Sequence, residues 1–153
     1  MQLFQSFLFA FAATVGFSLL FNVPRRHLPV TGFVGACGWI VYQLLIGGGE
    51  TPVWSCFFGA CAIALLSDIC SRVLKEATTI FIIPGILPLV PGAGMYNAML
   101  LFLKGSLPEA AEAGTQALLM AGSIAVALLI VTSIIRVLVL IKQSFMRFFY
   151  DDI

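Results

Sequence analysis

Five apolar runs divide the chain, at residues 2–21, 30–47, 53–72, 78–103 and 113–141, with short polar connections between them. A helix needs about 20 residues to cross roughly 30 Å of hydrocarbon, and each run approaches or exceeds that length. The connections "NVPRRHLP", "GGGETP", "RVLKEA" and "KGSLPEAAEAG" hold the punctuation, and no stretch remains for a soluble domain. The pattern predicts an all-α integral membrane protein: one transmembrane domain over residues 1–153, built from five helices.

Composition agrees. Of 153 residues, 61% are hydrophobic and only 10% charged, with a mean hydropathy of +1.08. A soluble domain of this size cannot hide so much apolar surface, so its solvent is largely the lipid bilayer. A net charge of +1, without a basic run or tail, argues against a nucleic-acid partner. Cys37, Cys56, Cys61 and Cys70 lie within apolar runs and form no CxxC, so they read as small helix residues rather than metal ligands. No cofactor is expected.

Charge distribution selects the topology. The first run lacks a basic n-region and a convincing cleavage site, while Arg25 and Arg26 follow it, so it reads as an anchor with its N-terminus outside. Five crossings then put Arg25, Arg26, Arg72, Lys75, Arg136, Lys142 and Arg147 on the inner side and only Lys104 outside. That bias fits the positive-inside rule and predicts N-out, C-in. If the fourth run turned back, the split would fall to five against three.

That fourth run contains "FIIPGILPLVPGAGMYNAM", with Pro84, Pro88 and Pro91 interleaved with Gly85, Gly92 and Gly94. A proline inside a helix removes an N–H and clashes with the carbonyl four residues back, at roughly 3 kcal/mol. Continuous helix over 84–92 is therefore not expected. The prediction is a half-helix over 78–83, an irregular stretch, and a second half-helix from near Gly92. Backbone freed from its hydrogen bonds cannot face lipid, and must meet protein or a watery cavity. A helix start near the membrane interior offers N–H groups and a positive dipole end to an anionic group. On this reading Pro84, Gly85, Pro88, Pro91, Gly92 and Gly94 form a substrate-binding segment, with Tyr96 and Asn97 adding side-chain hydrogen bonds. A proline-kinked helix serving only packing is the alternative.

The stretches "FNVPRRHLPVTGFVGACGWIVYQLL" and "ALLSDICSRVLKEATTIFIIPGILPLVPGAGMYNAM" resemble the threonine/serine exporter family, most specifically in the P-G-x-x-P-L-V-P-G core at residues 84–92. The chain resembles the small subunit of the two-protein type, which corresponds to the C-terminal membrane half. That resemblance implies a secondary exporter of hydroxy amino acids or of four-carbon dicarboxylates such as succinate. It also implies a complementary large membrane subunit as partner, and a bacterial inner-membrane location.

Ionisable residues inside spans are costly and mark candidate function. Asp68, Arg72 and Glu76 are spaced four apart, as an ordinary ion-pair ladder or as a proton-coupling or gating group lined by Ser67 and Ser71. Arg136 either holds a substrate carboxylate bidentately or snorkels to the inner surface. His27 reads as a loop residue of the basic cluster. Trp39, Tyr42 and Trp54 read as interface anchors or packing, and the tail "FMRFFYDDI" as a stretch lying on the inner interface.

Small residues four apart mark helix contacts: Gly32 with Ala36, flanked by Gly35 and Gly38; Ser55 with Gly59; Ser67 with Ser71; and Ala117, Ala121 and Ala125. Their recurrence favours a tight assembly, with a higher oligomer among the possibilities. No nucleophile–base pair, metal cluster or Walker motif points to an enzyme. A non-transporting assembly or regulatory subunit is the competing class, and it leaves the proline–glycine break unexplained.

Overall fold

The computed structural model describes the backbone of residues 2–151 and the side chains of residues 3–141. The expected interfacial tail at 145–153 has its side chains outside the described residues. The chain folds into helices α1 (Gln2–Leu20), α2 (Leu28–Gly47), α3 (Pro52–Leu74), α4 (Thr79–Ile86), α5 (Gly92–Leu103) and α6 (Leu107–Asp151). Single 3₁₀ turns at Arg25–His27 and Leu87–Leu89 join α1 to α2 and extend α4. Four helices are long and apolar enough to cross a membrane, and α4 with α5 form a bent pair at 44°.

The bent pair crosses the bundle. Gly94 of α5 faces Ala117 of α6, and Gly114 of α6 faces Ala98 of α5. At the other end, Thr79 and Ile82 of α4 share a cleft with Ile135 and Arg136 of α6. From Gly114 to Arg136 is 22 residues of α6, about 33 Å at 1.5 Å per residue. That distance matches the hydrocarbon thickness of roughly 30 Å, so α4 and α5 together make one broken span. Five membrane-spanning units result.

Packing is inverted relative to a soluble protein. The interior is built from small residues such as Val34, Ala36, Ser55, Cys56, Ala60 and Ala64, while Phe4, Phe9, Leu20, Leu118 and Leu129 point outward. Association in lipid rests on close packing, which large side chains at the seam would prevent. Glycines of α2 make the closest approaches. A Cβ on Gly32 would meet Val15 at 2.7 Å, and one on Gly35 would meet the Thr14 hydroxyl at 2.3 Å. Thus α2 presses Gly32 and Gly35 against α1, and Gly38 against Ile63 and Gly59 of α3.

The alanine stripe expected on the last helix is not the buried one. Ala121 and Ala125 are exposed; the buried residues are Ala110, Ala117, Ile124 and Val131, seven apart, with Ala127 beside them. A spacing of four drifts around a 3.6-residue helix, whereas a spacing of seven stays on one seam. That seam packs on α5 early in α6 and on α3 later.

The break also differs from expectation. Helix continues through Pro84 and Gly85 to Ile86, and the 3₁₀ turn carries the chain to Leu89. Only Val90, extended at φ −62° and ψ 127°, and Pro91 are irregular. Pro84 is tolerated because α4 is short, with Pro84 in its second turn, so few intrahelical bonds are forfeited.

Candidate functional site

The proline-rich segment meets protein. Leu89 is buried and its side chain packs over Gly59, where an added Cβ would lie 3.1 Å from it. The Cys56 Sγ lies 3.9 Å from the Leu89 carbonyl and donates weakly to it, so a carbonyl freed at the break is satisfied from α3. Pro84, Gly85 and Pro91 are buried and Pro88 is half-buried. Gly85 lets α4 lie against Ile63 and Val34, 3.3 and 3.5 Å from where its Cβ would be.

Gly94 rests on Ala117 of α6, while Gly92, Tyr96 and Asn97 face the other way. No residue of α5 is buried, and Tyr96 is 66% exposed beside an exposed Asn97. Nothing lies within 4 Å of a Cβ on Gly92. The helix start at Gly92 therefore opens on the outer surface of this chain, not into its bundle. Arg136 is also remote, about 28 Å along α6 from the Ala117 that Gly94 faces. Within the chain, the nine residues read as substrate-binding do not converge on one site.

A different group does converge. A cleft of about 390 Å³ opens between α3, the start of α4 and the later part of α6. From α3 come Ala64, Asp68 and Arg72; from the start of α4, Thr78 and Thr79; from α6, Thr132 and Arg136. α3 packs on both α4 and α6 and forms the floor of the cleft. Asp68 and Arg72 fall one turn apart on α3, which aligns them. The Arg72 Nε–H donates to Asp68 Oδ2 at 2.5 Å, and Nη2 donates to Oδ1 at 3.3 Å. Arg136 has no acidic partner among the described residues. The cleft thus presents one neutralised pair and one open guanidinium, flanked by hydroxyls. The Arg136 guanidinium is a forked donor of the shape that pairs with a carboxylate.

The ladder does not extend to Glu76. Helix α3 ends at Leu74, and Lys75 takes the left-handed conformation at φ 55°, turning Glu76 off the helical face. Glu76 pairs instead with Arg26, and its Oε1 lies 3.2 Å from His27 Nε2. His27 lies in the connection between α1 and α2 but is not solvated: it is 5% exposed, stands at the N-cap position of α2 and meets Phe81 edge-on at 5.9 Å. Its only sequence signal was a lone imidazole beside two arginines, which does not distinguish a buried residue from a solvated one.

The two serines have different surroundings. Ser71 Oγ donates to the Glu76 carbonyl at 2.5 Å and accepts from the Thr78 hydroxyl at 3.0 Å, closing the α3–α4 turn. Ser67 is fully buried, and its hydroxyl has no hydrogen-bond partner. Among the described residues no group of three His, Cys, Asp or Glu is placed to hold a metal ion.

No solved structure matches the chain. A family model described as "Threonine/Serine exporter, ThrE" matches residues 6–134, a stretch holding α2–α5, the broken span and the Asp68–Arg72 side of the cleft. On that match, which covers most of its length, this multi-pass helical chain belongs to the threonine/serine exporter family of transporters.

Proposed function

We propose that the chain is one subunit of a secondary-active exporter that carries small carboxylate-bearing metabolites through the cleft between α3, α4 and α6. The substrate class is hydroxy amino acids, threonine or serine, or four-carbon dicarboxylates such as succinate. One observation carries the reading: Arg136, a guanidinium with no acidic partner among the described residues, lines the same cleft as the Asp68–Arg72 pair, at one end of the spans. Asp68 lies within the membrane-length helix α3, where charge is expensive and its use on a substrate or ion pathway is the usual reason for it. Arg136 offers a forked donor matched to a carboxylate. Asp68 is the acceptor for a proton or an ammonium group.

We further propose a complementary large membrane subunit as partner, in a bacterial inner membrane with the basic end inward. The unburied α5 supports this, because the chain break and helix start at Val90–Gly92 are open on their outer side. Broken backbone at membrane depth is tolerated against protein or water, not against lipid.

Efflux of labelled succinate and threonine from cells producing both subunits tests the assignment. Export of one substrate that is lost with Arg136→Ala is expected. Efflux of both substrates unaffected by Arg136→Ala would refute the cleft as the route. Loss of efflux on collapsing a pH gradient across vesicles supports proton coupling, and indifference to it refutes coupling.

A further inference from the structure

The α3–α4 turn is tied to a different part of the chain from the one its neighbours in sequence suggest. Glu76 lies two residues before Thr78, and Thr78 and Thr79 form the α4 wall of the cleft. The Glu76 carboxylate is held by Arg26 and by His27, both from the 3₁₀ turn that precedes α2. The turn is also bound to α3, through Ser71, which bridges the Glu76 carbonyl and the Thr78 hydroxyl. His27 is itself fixed: its ring abuts the fully buried Phe81, and its carbonyl accepts the Thr31 hydroxyl at 2.9 Å. One carboxylate therefore connects the turn between α1 and α2 to the wall of the cleft.

We infer that Glu76 is a positioning residue of the transporter, setting the Thr78–Thr79 wall opposite Arg136 through its bond to Arg26 and His27. The inference rests on the cleft being the transport site. The carboxylate touches no substrate on this account; it acts on the site through the turn. An ion pair that is only a fold prop and one that sets a binding wall differ in what they change. The prop alters how much protein is made or survives. The wall alters how tightly substrate is held.

Threonine uptake into inside-out membrane vesicles, made from cells carrying the full transporter, separates the two. Glu76→Gln is expected to raise the apparent KM by about fivefold, the factor matching a lost ion pair, with the maximal rate per folded transporter nearly unchanged. Arg26→Glu is expected to do the same, and the exchanged pair, Arg26→Glu with Glu76→Arg, to return KM toward the starting value. An unchanged KM in Glu76→Gln, or an exchanged pair no better than the worse single variant, overturns the inference. Hydrogen exchange of the 76–80 backbone provides a readout independent of transport. It should quicken in Glu76→Gln and recover in the exchanged pair, and equal protection in all variants overturns the inference as well. Wild-type vesicles that take up neither threonine nor succinate would fault the transport reading, and exchange would still decide whether Glu76 holds the wall.

Discussion

Arg72 reaches back one turn along α3 to Asp68 and engages both carboxylate oxygens, with its shorter contact at 2.5 Å. The pair is internal to one helix, so it forms without help from the rest of the bundle. Its tertiary context is what gives it interest: Arg136, 64 positions after Arg72 in the chain, lines the same cleft. The three groups together set the charge of the cleft.

Arg136 is the residue whose loss should be felt most directly by substrate. Arg136→Ala is expected to weaken export by about tenfold to a hundredfold, the range for removing a charge-assisted hydrogen bond to a carboxylate. Arg136→Lys should recover part of the loss, because charge is kept while the fork is not. Concentration-dependent uptake by vesicles checks both, with membrane abundance measured alongside.

Asp68 and Arg72 should behave as a unit. Asp68→Ala leaves the Arg72 cation unneutralised beside Arg136, and Arg72→Ala leaves an unpaired carboxylate in the cleft. Each single variant should transport more poorly than the wild type. In the double variant the two losses should fall short of adding, as for residues in direct contact. Uptake rates of the four forms make the cycle, and strict additivity would show that the pair is not coupled in transport.

Glycines on α2 and α5 should separate packing from function. A Cβ on Gly38 would run into Ile63 and lie 3.2 Å from the Gly59 carbonyl, so Gly38→Ala should destabilise by about 1–3 kcal/mol through overpacking. Gly92 has open space around it, and Gly92→Ala should leave thermal unfolding in detergent unchanged. A bulky residue at Gly92 that abolishes export without lowering stability would assign the outer face of α5 to transport or to subunit contact. Normal export in such a variant would leave Gly92 with no such role.

Ser67 buries a hydroxyl with no partner. Removing it by Ser67→Ala should raise stability by about 1 kcal/mol, the cost of an unsatisfied buried polar group. If export falls while unfolding temperature rises, the hydroxyl serves the transport cycle. If export is unchanged, Ser67 is a packing residue.

Much of the architecture is legible in the residues alone. Apolar runs of membrane length set the spans, and the prolines at 84, 88 and 91 mark the broken one, because each effect is local to its own segment. The break is shorter than the three prolines imply, since a short helix with a 3₁₀ turn absorbs Pro84 and Pro88 that a long helix would not. The i,i+4 pair of Asp68 and Arg72 is readable for the same local reason.

Which faces meet is decided only by the folded bundle. These helices are apolar on nearly every side, so periodicity does not reveal the buried stripe; α6 buries a seam of seven, and Ala121 and Ala125 point out. Helix rotation and crossing place Arg136 and Asp68 on one cleft, and the left-handed Lys75 sends Glu76 to Arg26 and His27. The sequence by itself determined that five apolar segments cross a membrane and that the fourth is broken. Tertiary structure decided that the break is filled by Leu89 over Gly59 and that the charges gather elsewhere, because close packing of small residues, not the polarity of any one face, sets how these helices turn toward each other.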